Sequence, residues 1–79
     1  MSNKRLKISY DKESHVLTVE RPGASSVDSD ISGNVVIDYD KKGDISRINF
    51  YDFDFREFRD ARKNLKQFAE RTGGSVTVK

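Results

Sequence analysis

An α+β fold is predicted for this chain: an antiparallel sheet of about four strands, built from two hairpins, with one C-terminal amphipathic helix packed on one face. Three observations predict it. Apolar residues alternate through Leu6, Ile8 and Tyr10 and again through Val35, Ile37 and Tyr39, the period of a strand. Downstream, Phe55, Phe58, Ala61, Leu65, Phe68 and Ala69 recur at steps of three and four, the period of a helix. The change of period at Asp52–Phe55 coincides with a change of charge. Residues 1–53 hold eight Lys/Arg against nine Asp/Glu, whereas residues 54–79 hold seven against four. The expected organisation is a single domain over 1–79, with a sheet region at 5–53, a helix region at 54–73, and a tail or short edge strand at 74–79.

Met1–Lys4 is polar and expected to fray. Arg5–Tyr10 reads as the first strand and His15–Glu20 as its return, joined by the turn Asp11-Lys12-Glu13-Ser14. Arg21-Pro22-Gly23 stops that strand, because Pro donates nothing to a ladder and Gly accepts positive φ. Ala24–Gly33 reads either as loop or as a poor edge strand, since Asp and Ser disfavour sheet interiors. Ser32-Gly33-Asn34 is a turn. Val35–Asp40 and Ile45–Phe53 then form the second hairpin across Lys41-Lys42-Gly43-Asp44, with Ile48 and Phe50 inward.

Helix signals are dense. Asp54 is a favourable N-cap, Glu57 stands where a capping-box partner belongs, and Phe53 and Phe58 occupy hydrophobic-staple positions. Gly73-Gly74 ends a helix predicted over Phe55–Thr72, and Ser75–Val78 alternates as a short fifth strand would.

Composition narrows function. Seventy-nine residues without cysteine exclude disulfides and thiolate metal sites and suit a reducing cytoplasm. The longest apolar run is Val35–Ile37, far too short for a membrane span. Asp38, Asp40 and Gly43 mimic part of a calcium loop, but Lys42 falls at a ligand position and Asn49 replaces the closing Glu. His15 is the sole histidine, and the serines include no nucleophile elbow. The glycines form no phosphate loop. Neither catalysis nor a cofactor or metal is expected. A carboxylate pair at Asp38 and Asp40 shares one strand face, with no polar pocket inferable around it.

The helix carries the one candidate binding surface. Arg56, Arg59, Lys63 and Lys66 fall within about 80° of one another on a helical wheel, away from the Phe/Leu stripe, with Arg62 flanking it. Glu70 lies inside this sector, while Asp60 and Glu57 dilute its edge. Such a face is either simply solvated, with cations favoured by the helix dipole, or a ridge for phosphates or an acidic protein surface. Phe50, Tyr51, Phe53, Phe55 and Phe58 cluster at the strand–helix junction, where core packing outweighs base stacking.

Two runs are distinctive as a set: Lys7-Ile8-Ser9-Tyr10-Asp11-Lys12-Glu13 followed by Leu17-Thr18-Val19, and Gly33 ahead of Val35-Val36-Ile37-Asp38-Tyr39-Asp40 and Gly43. Together they resemble a widespread family of small prokaryotic proteins known only as a domain of unknown function. That family shows K-I-x-Y-D-x-E, an L-Y-I-like strand, G-x-x-x-D-Y-D-x-x-G and a G-I-E-I-L strand. The resemblance runs from Lys7 to about Phe53. Arg47-Ile48-Asn49-Phe50 replaces the G-I-E-I strand, so the family's Glu is absent, and the Arg21–Ser32 stretch is longer than the pattern.

The resemblance implies a non-enzymatic β-rich module. Because some members lie beside small toxin-like genes, it also implies an antitoxin or partner-binding role. The expectation is therefore a cytoplasmic protein-interaction module that meets a toxin or an acidic protein through the helix face or a sheet edge. Weak nucleic-acid binding by the same cations is the alternative, and edge pairing would also allow a homodimer.

Overall fold

The computed structural model describes residues 5–78, so the fraying expected of Met1–Lys4 lies outside the described residues. Six strands and one helix follow in the order β1 (Lys7–Asp11), β2 (Val16–Glu20), β3 (Asp28–Ser32), β4 (Val35–Tyr39), β5 (Ile45–Phe50), α1 (Phe55–Glu70) and β6 (Ser75–Val78). One sheet holds all six strands, in the order β3-β4-β5-β2-β1-β6. The class is α+β as expected, but the sheet is larger than four strands and is mixed. Every neighbouring pair is antiparallel except β1 and β6, which run parallel.

Both extra strands lie at edges. β3 pairs with β4 across the two-residue connection Gly33-Asn34, with Ser32 opposite Val35 and Gly33 at φ 60°. Its Asp and Ser side chains are all solvated, so their dislike of sheet interiors never applies. β6 is parallel because α1 carries the chain from β5 to a strand three places away running in the same direction. Only a crossover of this kind can join parallel strands.

Register sorts the side chains into two faces. Val78, Tyr10, Leu17, Phe50 and Val35 lie in one row, and Val76, Ile8, Val19, Ile48 and Ile37 in the next, all on the side that α1 covers. The opposite face is polar: Lys7, Glu20, Arg47 and Asp38 alternate in sign across β1, β2, β5 and β4. There Arg47 Nε approaches Asp38 at 3.7 Å, and the Thr18 hydroxyl donates to Asn49 at 2.8 Å. A shift between Asp38 and Tyr39 leaves Ser46 as an extra residue of β5. Ser46 is buried, with its hydroxyl 2.8 Å from that of Ser26.

Tyr10 is the centre of the core. It is fully buried, its ring stacks on Phe58 at 4.7 Å, and Phe53 and Phe55 lie 6.3 Å and 5.9 Å away. Its hydroxyl donates to the Phe53 carbonyl, so the polar tip of a buried ring is satisfied. Burial, reinforced by the charges of Asp54, Asp11 and Glu57, pushes the Tyr10 phenol above its ordinary pKa. Phe53 and Phe58 thus meet through Tyr10, which stands between the two ends of the staple.

Both helix ends rest on local chemistry. The Asp54 carboxylate accepts from the Arg56 amide at 3.0 Å. The Asp54 amide does not donate in return to the Glu57 carboxylate among the described residues, so Asp54 caps without a full capping box. The helix ends at Glu70, two residues short of the expected Thr72, and its last turn is closed around Gly73 at φ 78°. There the Gly74 amide reaches the Ala69 carbonyl at 2.9 Å and the Gly73 amide the Glu70 carbonyl at 3.1 Å, a Schellman-type closure. Leu6 is clamped at the same place. Its amide donates to the Thr72 hydroxyl at 2.9 Å, and its carbonyl accepts from the Ser75 amide at 3.1 Å.

Candidate partner-binding edge

Helical spacing decides where the cations stand. Phe58, Leu65 and Ala69 face the sheet, and positions 59, 62, 63 and 66 follow on one flank of α1. That flank overlooks β6: Arg59, Arg62, Lys63 and Lys66 line a groove with Glu70, Gly74, Ser75 and Val76. Four of the five cations expected to act together therefore share one groove. Arg56 does not line it, and its amide serves the Asp54 cap.

Four cations face one carboxylate in this groove. Arg59 also approaches Asp60 at 4.0 Å, but both side chains are well exposed and such a contact is weak. The last helical turn holds no basic residue, so the helix dipole does not account for the cations. Beneath them, β6 pairs only with β1, and its outer side has no strand partner among the described residues. Val76 and Val78 point to the helix side and are half-buried, whereas Ser75 and Thr77 are exposed on the other face. The groove thus combines an open line of backbone donors and acceptors with a row of cations.

The other motifs have structural occupations. The Asp40 carboxylate accepts from the Lys42 and Asp44 amides at 2.9 and 3.0 Å and from Arg21 at 2.6 Å. Burial alone would raise its pKa, but the Asp44 amide, Arg21 and the Lys42 amide outweigh that and hold it below the usual carboxylate range. The Asp40 oxygens, part of the calcium-loop resemblance, are therefore engaged in closing the β4–β5 turn. Because the folded pKa is depressed, this stabilisation is present above pH 4 and lost as acid protonates the folded carboxyl. Asp40→Ala should lower the urea midpoint clearly at neutral pH. The gap to the parent should close well below pH 4, and equal gaps at both pH values would contradict this role.

Asp38 faces Arg47, so the Asp38 and Asp40 carboxylates each meet a different arginine. His15 sits at φ 59° in the β1–β2 turn, where its amide bonds to Asp11 and its carbonyl accepts from Phe53. In the aromatic cluster, Phe50, Phe53, Phe55 and Phe58 are linked ring to ring, three of them through Tyr10, and Tyr51 is exposed.

Sequence reasoning missed the other wall of the charge pattern. On β3, Asp28, Asp30 and Ser32 lie opposite Tyr39, Ile37 and Val35, which places both carboxylates on the helix side of the sheet at its far edge. The two-residue Gly33-Asn34 connection was the available signal, since such a link pairs the residues before it with those after it.

Fold and groove together define a small α+β module, a single sheet with a helix over one half and, among the described residues, an unpaired strand at each edge. Residues 7–53 match the family model described as "Protein of unknown function (DUF2283)", and the chain belongs to that family. The match ends before α1 and β6, so the cationic groove lies wholly outside it. Neither the curated proteins nor the solved structures contain a match. Among the described residues, no helix is long and apolar enough to cross a membrane.

Proposed function

We propose that this chain is a non-enzymatic protein-interaction module that binds an acidic, extended segment of a partner along β6, beneath the cationic flank of α1. The observation that carries this reading is the coincidence of an unpaired strand edge with Arg59, Arg62, Lys63 and Lys66 in one groove. A partner strand gains main-chain hydrogen bonds from β6, and its carboxylates meet the overhanging cations. A toxin with an acidic strand-forming segment is one partner of this chemistry, as an antitoxin role would require. Nucleic acid would use the same cations, but Glu70 stands among them, and none of the described residues lining the groove is aromatic.

The test uses a short peptide of alternating Asp and Val, added to isotopically labelled protein at low salt. Amide shifts should concentrate in Ser75–Val78 and on the Arg59–Lys66 flank. They should fade as salt rises, and a peptide with Lys in place of Asp should leave them unmoved. Absence of shifts in β6 would overturn the reading. So would tighter binding of a duplex oligonucleotide than of the acidic peptide.

A further inference from the structure

The two open edges of this sheet carry opposite charges on the same face. At one edge, Arg59, Arg62, Lys63 and Lys66 overhang β6. At the other, β3 presents Asp28 and Asp30 on the helix side, and every residue of β3 is exposed. Strand directions are compatible as well. Following the pairings across the sheet, β3 and β6 both run parallel to β1. A second copy placed beside the first, with its helix on the same side, therefore brings its β3 alongside β6 as one more parallel strand.

From this we infer that the acidic strand accepted at β6 is β3 of a second copy, so that the chains join head to tail into a continued sheet. This rests on the reading of β6 as an acceptor of acidic strands. In the joined sheet, Asp28 and Asp30 of one copy lie under the cationic flank of its neighbour. On the other face, the register that sets Asp28 and Asp30 beside Val76 and Val78 brings Val27, which is 64% exposed, beside Ser75, where it loses contact with water.

The same charges select against like-with-like pairing. Joining β6 to β6 about an axis normal to the sheet sets two cationic flanks side by side. Joining β3 to β3 in that way sets the Asp28 and Asp30 rows against each other. Like charges directly opposite destabilise a strand pair, so both two-fold arrangements are disfavoured and the head-to-tail contact is complementary. Contacts of this type close into a ring when the rotation allows, and otherwise extend.

Analytical ultracentrifugation of the whole chain tests the inference. The weight-average mass should rise with concentration at about 50 mM salt and return to that of one chain near 0.5 M, where screening is strong. D28K/D30K and K63E/K66E alter exposed side chains, and each alone should remain a single chain with an unchanged circular dichroism spectrum. Mixed in equal amounts, they restore opposite charges at the contact and should assemble again. A parent chain of constant mass throughout would overturn the inference, as would assembly by D28K/D30K alone or a mixture that stays monomeric. If the acidic peptide shifts β6 in a chain that never self-associates, the inference falls while β6 remains an acceptor. Failure of both experiments removes both.

Discussion

Replacing Phe58 by Ala will remove about 3–5 kcal/mol of stability and lower the urea midpoint steeply. Phe58 is 1% exposed and stacks face to face on Tyr10, itself fully buried, and together they join the helix to the sheet. Among the described residues the buried hydrophobic set is small, comprising Ile8, Tyr10, Leu17, Phe58 and Ala69. A 79-residue domain has a total stability of about 4–12 kcal/mol, so this one truncation takes a large share of it. The cavity would also leave the Tyr10 ring without its stacking partner and loosen its hydroxyl contact with Phe53. Phe58→Leu keeps most of the volume and should cost only about 1.5 kcal/mol. Urea unfolding followed by far-ultraviolet circular dichroism separates the two, and similar midpoints for both variants would show that Phe58 is not the keystone.

Gly74→Ala is expected to be nearly as damaging, for a different reason. A Cβ at Gly74 would stand 1.8 Å from the Leu6 carbonyl oxygen and 2.7 Å from its carbon, both backbone atoms that cannot step aside alone. That carbonyl already accepts from the Ser75 amide, so relief requires β6 to move off β1. A loss of roughly 3 kcal/mol is the result, together with loss of the Lys7–Ser75 to Tyr10–Val78 pairing. Gly73 is the control. At φ 78° an added methyl meets only the Arg5 side chain at 3.8 Å, so Gly73→Ala carries just the left-handed backbone penalty of about 1–2 kcal/mol. Cross-strand nuclear Overhauser contacts between β1 and β6 should survive in Gly73→Ala and vanish in Gly74→Ala. Their survival in both would refute the close-approach account.

Elements whose determinants are local were legible in the sequence. Asp54 and Gly73 announce the helix ends through cap chemistry, and the inward alternation of β1, β2, β4 and β5 follows from their own residues. β3 was not legible as a firm strand, because none of its side chains is buried and no inward stripe marks it. β6 alternates visibly, but its parallel partner is set by the crossover through α1, a relation between distant residues. The candidate site divides in the same way. The cations are legible as a helical set, since spacing on one element groups them. That β6 forms the other wall of their groove, while Asp28 and Asp30 stand at the opposite edge, depends on strand order.

The parallel pairing of β1 with β6 has a mechanical consequence. Tension drawn outward between Lys7 and Val78 acts at opposite ends of two adjacent strands that run the same way. The pull is then directed along the strands and at right angles to their separation, so it loads every hydrogen bond of the pair together. An antiparallel pair pulled from its adjacent ends would instead open one bond at a time. The strand pair that completes this sheet is therefore arranged to resist in shear.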